Sequence, residues 1–280
     1  MSNELKEIIN QQRDSWNSFS SGWKKWDSVN MEFLKPVGEG IIQQLRLKNN
    51  DIVLDVASGT GEPGLSIAEI VSAGKVVGMD LSEGMLETAK ERAEIRGISN
   101  YQTEIGDVSK LPFLDKTFNA ISCRMGFMFF PDIQSTLQEM RRVLKSGGRL
   151  AASVWGSPQQ NFWVTVTMRT INQLMNLPPP PADAPGMFRC ASPGFMTEQF
   201  EKAGFSNVTE HEVGTGLKMD AETYWEMITE VGAPIVAAMS QADAQMRDQI
   251  KHEVFRKIHE KFPDNNINLQ GSAILICGVA

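Results

Sequence analysis

Two patterns of apolar residues alternate through the first half of the chain. Short runs that are apolar throughout predict strands covered on both faces, as in a parallel sheet. Segments with an apolar residue every three or four positions predict amphipathic helices. Strands are expected at residues 51–56, 75–80, 101–106, 117–123 and 149–155, and helices at 61–72, at 82–96 and from 133 to the glycine pair at 147–148.

Alternating strands and helices of this kind indicate one fold class. Right-handed strand–helix–strand crossovers build a parallel sheet with helices on both faces. The prediction is an α/β protein with a Rossmann-like, mostly parallel sheet. Since ligands of such sheets bind beyond the carboxyl ends of the strands, functional residues are expected there.

The pattern changes after residue 155, where helical segments separate the last two predicted strands. Four prolines at 178–181 predict an irregular or extended loop. We interpret the chain as a single domain, 1–280, with an N-terminal helical cap (1–30), a cofactor-binding core (31–155) and helical lid or substrate segments (156–193 and 214–270). In this region helices are expected at 163–175, 192–203, 220–231 and 241–262, and strands at 207–213 and 272–279.

Composition limits the possible partners. The chain has 280 residues, 41% of them hydrophobic, and a formal net charge of -7. An acidic protein has no global positive field for a phosphate backbone, so nucleic acid is not an expected partner. No apolar stretch is long enough to span a bilayer, and the three cysteines are widely spaced. We therefore expect a cytoplasmic monomer or homodimer with reduced thiols and no metal site.

The most informative residues surround the end of the first predicted strand. The stretch 53–64 reads as a buried strand that contains Asp55, then a turn with Gly59 and Gly61, then a helix start at Pro63. Glycines let the backbone turn tightly and approach a ligand, because a Cβ would collide with the turn or with the bound molecule. The stretch predicts a nucleotide-like ligand.

Spacing alone leaves two cofactors open. Gly59, Gly61 and Gly64 match the G-x-G-x-x-G pattern of nicotinamide-binding proteins, which is weak evidence by itself. Asp55 favours S-adenosylmethionine instead, because its negative charge would repel a pyrophosphate but attract a cationic amino-acid moiety.

Two more carboxylates end neighbouring strands. Asp80 ends the second predicted strand, where it suits bidentate contact with both hydroxyls of a ribose. Asp107 ends the third predicted strand, where its carboxylate suits a hydrogen bond from an adenine amino group. Together with Asp55, these carboxylates favour S-adenosylmethionine over a nicotinamide cofactor.

The same residues resemble those of class I S-adenosylmethionine-dependent methyltransferases, most closely the ubiquinone and menaquinone C-methyltransferase type. The resemblance covers about residues 10–155 and rests on residues 55–61, 80, 106–107, 111–113 and 142–148. It implies a seven-stranded sheet whose last strand is antiparallel and lies between the fifth and sixth. It also implies methyl transfer from S-adenosylmethionine to a small-molecule acceptor.

The resemblance assigns two sets of residues in this sequence. Asp55 and the turn are expected to face the methionine part of the cofactor, Asp80 the ribose, and the residues after the second and third strands the adenine. The cofactor set is Trp26, Asp55, Ala57, Gly59, Gly61, Pro63, Asp80, Leu81, Met85, Gly106, Asp107, Val108 and Arg124. The acceptor set is Trp23, Phe127 and Met128.

Apolar residues near the expected reaction site favour an aromatic or lipophilic acceptor, methylated at oxygen, nitrogen or carbon. Some lie in the stretch 124–131. Others form an aromatic stripe on the N-terminal segment: Trp16, Phe19, Trp23 and Trp26. Core packing explains such residues as well, and the stripe is compatible with both roles.

No residue is assigned as a catalytic base. The sulfonium of the cofactor already activates the methyl group, so the protein mainly aligns the acceptor and excludes water. A base is needed only if the acceptor must lose a proton, and histidine is the usual choice. His252 and His259 lie just beyond the apolar stripe of their predicted helix, which favours a solvated position.

Two other functions stay open at this point. One is an NAD(P)-dependent oxidoreductase, which the glycine spacing favours but the missing Tyr-x-x-x-Lys pair does not. The other is a non-catalytic, cofactor-binding regulatory subunit, which the lack of an evident base permits. The predicted lid and the full cofactor set argue against the regulatory subunit.

Overall fold

The seven strands of the protein form one sheet in a computed structural model that describes residues 3–178, 181, 184–264 and 266–280. The order across the sheet is β3-β2-β1-β4-β5-β7-β6. The first five of these strands are parallel, and β7 is antiparallel to both of its neighbours. The strands are β1 (Ile52–Val56), β2 (Lys75–Asp80), β3 (Tyr101–Ile105), β4 (Phe118–Arg124), β5 (Leu144–Trp155), β6 (Ser206–Met219) and β7 (Ile267–Val279). This arrangement confirms the predicted α/β class and the antiparallel last strand between β5 and β6.

The described helices pack on the sheet and on one another. They are α1 (Asn3–Lys25), α2 (Asp27–Leu45), α3 (Gly64–Ile70), α4 (Glu83–Ile95), α5 (Ile133–Val143), α6 (Phe162–Leu174), α7 (Phe195–Lys202), α8 (Ala221–Val231), α9 (Ala233–Gln241) and α10 (Ala244–Lys261). The α2 helix packs on β4, β5 and β6, and α1 packs on α4 and α8. The N-terminal helices therefore bridge the sheet and the later helical segments.

Local chemistry explains where several elements begin. The β2 strand coincides with its predicted range, and residues 76–79 are buried throughout. Ser82 then caps α4, its Oγ accepting a 3.2 Å hydrogen bond from the Met85 backbone N–H. Asp132 caps α5 in the same way, with 3.0 Å to Ser135 N. Such caps satisfy backbone donors that have no partner within the helix.

The structure corrects the expected helix end at the glycine pair. Helix α5 ends at Val143, and β5 begins at the next residue. Gly147 has a φ of 78° inside this strand, and its N–H donates to the carbonyl of Ala280 at 2.9 Å. The glycines therefore shape a strand that is longer than predicted.

The segment after β6 also differs from the expectation. The β6 strand extends to Met219 and β7 begins at Ile267, so residues 214–219 and 267–270 belong to the sheet and not to helices. Three helices, and not two, lie between these strands, and α2 was not predicted as a separate helix. Of the four prolines expected in a loop, Pro179 and Pro180 lie outside the described residues. Among the described helices, none has the length and apolar character needed to cross a membrane.

Candidate functional site

A cavity lies beyond the carboxyl ends of the parallel strands, where ligands of such sheets bind. One wall consists of the residues that follow β1, β2, β3 and β4. The other wall comes from α1, α2, the end of β5, α6 and the turn between α8 and α9. From both expected sets, the residues that line the cavity are Trp23, Ala57, Gly59, Asp80, Leu81, Met85, Gly106, Asp107, Val108, Arg124 and Met128.

The glycine turn is held in place by Asp80. The Gly59 N–H donates to Asp80 Oδ2 at 2.9 Å, and the Ser82 N–H donates to Oδ1 at 2.9 Å. Gly61 has a φ of 107°, a region that residues with a Cβ rarely adopt. Burial raises the pKa of Asp80, while the backbone N–H groups lower it. One carboxylate thus fixes both the turn and the start of α4 at the cavity wall.

Asp107 closes the same end of the cavity. Its carboxylate accepts two hydrogen bonds from Ser109, at 2.9 Å from the backbone N–H and 2.6 Å from the hydroxyl. Leu81 and Met85, which lie between Asp80 and Asp107 in the sequence, also line the cavity. The ends of β2 and β3 therefore combine acidic acceptors with an apolar surface.

Arg124 is the positive charge in the lining. Its Nη2 lies 3.4 Å from the sulfur of Met31, a weak contact. Within the part of the chain that the structure describes, no carboxylate oxygen approaches Arg124 closely enough to form an ion pair. Burial lowers the pKa of Arg124, because the charged form loses water. A half-buried guanidinium without such a partner suits an anionic group of a ligand.

Asp55 does not line the cavity, contrary to the expectation that it faces the methionine part. The side chain is fully buried, and its Oδ2 accepts a hydrogen bond from Gly64 N at 3.0 Å. Its Oδ1 accepts one from Ser122 Oγ at 2.6 Å, across the pairing of β1 with β4. Burial raises the pKa of Asp55 to about 7, although these bonds and Arg124 oppose the shift. The geometry makes Asp55 a support beneath the turn.

Four more expected residues also lie outside the lining: Trp26, Gly61, Pro63 and Phe127. Phe127 is fully buried in the core beside Phe130. The indole of Trp26 turns toward α8, where it donates to Glu230. Gly61 faces Leu65, since a Cβ there would lie 2.7 Å from that side chain. These residues pack against their neighbours and do not line the cavity.

Aromatic rings form much of the remaining cavity lining. The centroids of Trp16 and Phe129 lie 5.4 Å apart, and those of Phe33 and Trp163 lie 5.1 Å apart. Four methionines also line the cavity: Met125, Met128, Met187 and Met227. We call this apolar part of the lining, formed by the aromatic rings and the methionines, the aromatic chamber.

Several residues that line the cavity were not among the predicted site residues. They are mainly on α2, β5 and α6: Asn30, Phe33, Leu34, Trp155 and Trp163. The signal for α2 was available, because its buried positions recur at helical spacing from Asn30 to Leu45. Trp155 and Trp163 reach the site only through tertiary packing.

No histidine belongs to the cavity lining among the described residues. His252 and His259 are exposed on α10, in agreement with the predicted solvated position. The described part of the chain also contains no group of His, Cys, Asp and Glu residues that could hold a metal ion. The titratable side chains at the wall are Glu62, Asp80, Asp107 and Arg124.

The known proteins whose sequences are similar to this chain are methyltransferases. A family profile described as a methyltransferase domain matches residues 53–148. A demethylmenaquinone methyltransferase of Symbiobacterium thermophilum is 34% identical over 163 residues, which are 57% of this chain and 61% of that protein. One from Listeria monocytogenes is 31% identical over 180 residues, which are 59% of this chain and 73% of that protein.

Solved structures share the fold. A SAM-dependent methyltransferase from Aquifex aeolicus superposes with a TM-score of 0.53 at 24% identity. The match covers 70% of this chain and 92% of that one. At this level of identity the similarity concerns the arrangement of sheet and helices.

Proposed function

The chain belongs to the S-adenosylmethionine-dependent methyltransferases, and we propose that it transfers a methyl group from this cofactor to a small, aromatic or lipophilic molecule. The observation that carries the proposal is the continuity of one cavity. The glycine turn with Asp80 and Asp107 forms its polar part, and the aromatic chamber lines the same cavity. A nucleoside and an apolar acceptor would thus meet inside a single site.

The polar end fits the chemical groups of the cofactor. We assign Asp80 to the ribose hydroxyls and Asp107 to the adenine amino group, since carboxylate oxygens accept hydrogen bonds from both. Leu81 and Met85 would cover the adenine face. Arg124 would bind the α-carboxylate, which supplies the anionic partner that the guanidinium lacks in the protein.

The residues of the chain would act by position more than by acid–base chemistry. When bound, the cofactor supplies a methyl group already activated by the sulfonium. The aromatic walls would hold the acceptor atom in line with that methyl group and exclude water. Among the described residues no histidine lines the cavity, so we take the acceptor to be nucleophilic in its bound form or to lose its proton to solvent.

The names of the relatives indicate one acceptor to test first. Demethylmenaquinone is a quinone, and an apolar chamber of Trp16, Phe33, Phe129 and Trp163 suits its type of ring. Reduction of the quinone gives hydroxyl groups, which make the ring carbons more nucleophilic. We therefore include the reduced form among the acceptors.

The test is an assay for S-adenosylhomocysteine with a panel of acceptors. Purified protein is incubated with S-adenosylmethionine and either reduced demethylmenaquinone, simple naphthols or a polar amine such as glycine. We expect turnover with an apolar aromatic acceptor and none with glycine. Turnover with glycine alone would contradict the proposed acceptor class, and no turnover with any acceptor would contradict methyl transfer.

A further inference from the structure

Two buried N–H donors in the cavity wall have no hydrogen-bond partner in the protein. They are Trp23 Nε1 on α1 and Asn30 Nδ2 on α2. Asn30 is only 7% exposed, so its side chain is largely shielded from bulk solvent. A buried donor without a partner is costly, and natural proteins retain one mainly where a ligand or an ordered water completes it.

The two donors point from the same side of the N-terminal helices. Backbone hydrogen bonds from Trp26 N to Gly22 O and from Asn30 N to Trp26 O continue the helical pattern across the junction of α1 and α2. Residues seven positions apart lie on one face of a helix, two turns from each other, so Trp23 and Asn30 present their side chains on the same side. Both residues line the cavity, which agrees with this placement.

The donors have neighbours in both the polar and the apolar parts of the lining. Asn30 directly precedes Met31, whose sulfur contacts Arg124 at 3.4 Å. Trp23 packs edge-on against Trp16 of the aromatic chamber, with ring centroids 6.4 Å apart. A group bound by both donors would therefore lie next to the place assigned to the methionine part of the cofactor.

A third residue ties the donors to the glycine turn. Asp27 lies between them in sequence, and its Oδ1 accepts hydrogen bonds from Thr60 Oγ1 at 3.0 Å and from Arg92 Nη1 at 3.2 Å. Arg92 also donates to the Thr60 carbonyl at 2.8 Å. The helix junction is thus fixed relative to the cofactor end of the cavity.

We propose that Trp23 and Asn30 bind a hydrogen-bond-accepting oxygen of the methyl acceptor and so determine its orientation and specificity. This rests on the methyltransferase function proposed above. Indole and amide N–H groups bind a carbonyl, phenol or phenolate oxygen and offer nothing to a cationic amine. The acceptor class is therefore an apolar ring system with an oxygen substituent near the atom that is methylated. Trp23 and Asn30 would act as specificity residues, since no proton leaves or reaches them.

The experiment compares ligands of one shape on matched variants. The affinities of 1-naphthol, naphthalene and the cation 1-naphthylmethylammonium are measured by equilibrium dialysis in saturating S-adenosylhomocysteine. The proteins are the wild type, Trp23→Phe, Asn30→Leu, the double variant and Trp225→Phe. Trp225 contacts Phe255 outside the cavity lining, so its variant controls for the loss of an indole.

We expect the wild type and Trp225→Phe to bind naphthol about tenfold more tightly than naphthalene, with the cation weakest. The preference for naphthol should shrink in each single variant and disappear in the double variant. Affinity for S-adenosylhomocysteine should remain within about twofold of the wild type, since the donors serve the acceptor.

Two results would overturn the inference. One is a wild-type protein that shows no preference for naphthol. The other is a variant that keeps this preference but loses affinity for S-adenosylhomocysteine, which would assign the donors to the cofactor. Failure of the wild type to bind S-adenosylhomocysteine, measured first by calorimetry, would instead contradict the proposed function itself.

Discussion

Trp26 Nε1 donates a 2.8 Å hydrogen bond to Glu230 Oε2, across 204 residues of sequence. The other carboxylate oxygen, Glu230 Oε1, forms an ion pair with Lys25 Nζ at 2.8 Å. The junction of α1 and α2 is thereby joined to the end of α8, directly beside the cavity wall formed by residues 231–234. Trp26 was expected to touch the cofactor, but its indole instead contacts α8.

Loss of this connection should loosen the N-terminal cap. In Glu230→Ala both contacts disappear, so we expect amide hydrogen exchange in α1 to accelerate roughly 5- to 30-fold, which corresponds to about 1–2 kcal/mol. Exchange in the central strands should not change. Glu226→Ala, at an exposed position one turn earlier on α8, is the control. Equal exchange in both variants would show that Glu230 does not hold the cap.

Gly22 allows α1 and α8 to approach each other closely. A Cβ at this position would collide with the backbone carbonyl oxygen of Glu230. We expect Gly22→Ala to lower the free energy of unfolding by about 1–3 kcal/mol, although alanine favours a helix. Gly214→Ala is the control, because its Cβ would meet no atom within 4 Å. Urea unfolding of the two variants compares them, and equal stability would exclude the close helix contact.

The fold is predictable where local pattern decides the structure. The β2 strand is apolar and buried through residues 76–79, and Ser82 provides a cap for the next helix. Around Gly147 and Gly148 the local signal is ambiguous, because glycines end helices but also shape irregular strands. Pairing of β5 with β4 and β7 decides this case, and the helix stops at Val143.

The site is predictable at its cofactor end and much less at its acceptor end. Strand ends place Asp80 and Asp107 at one edge of the sheet, as the spacing of the strands predicts. The pleat of the strand and its pairing with Ser122 turn Asp55 away from the cavity, which the glycine motif does not reveal. The acceptor wall combines α2, β5 and α6, as in the contact of Phe33 with Trp163, and only tertiary packing brings these segments together.

Asp55 should make the stability of the protein depend on pH. Its carboxyl ionises near pH 4 in the unfolded chain, but burial raises its pKa to about 7 in the folded protein. Between these values the folded state holds the proton more firmly, so the free energy of unfolding falls as pH rises.

Unfolding of the wild type and Asp55→Asn at pH 5 and pH 8 tests this dependence. Between the two values the wild type should lose about 2–3 kcal/mol of stability relative to the variant, which lacks the titrating group. Other ionisable groups are common to both proteins and cancel in the comparison. Parallel losses in the two proteins would show that Asp55 is ionised at pH 5.

Arg124 should affect ligands that carry an amino-acid carboxylate and no others. We expect Arg124→Met to lower the affinity for S-adenosylhomocysteine about 10- to 100-fold, because charge-assisted hydrogen bonds to its carboxylate are lost. Binding of 5′-methylthioadenosine, which has no carboxylate, should change less than about threefold. Calorimetry with both ligands measures the difference. An equal loss for the two ligands would mean that Arg124 stabilises the cavity and does not bind the carboxylate.

We propose that the turn at Gly59 and the carboxylate of Asp80 form an S-adenosylmethionine site. Calorimetric titration of S-adenosylmethionine into the wild type, Asp80→Ala and the exposed-site control Glu104→Ala tests it most directly. We expect binding by the wild type and the control, and an affinity at least about tenfold lower for Asp80→Ala. A wild-type protein that does not bind, or an Asp80→Ala variant that binds as tightly as the wild type, would contradict the claim.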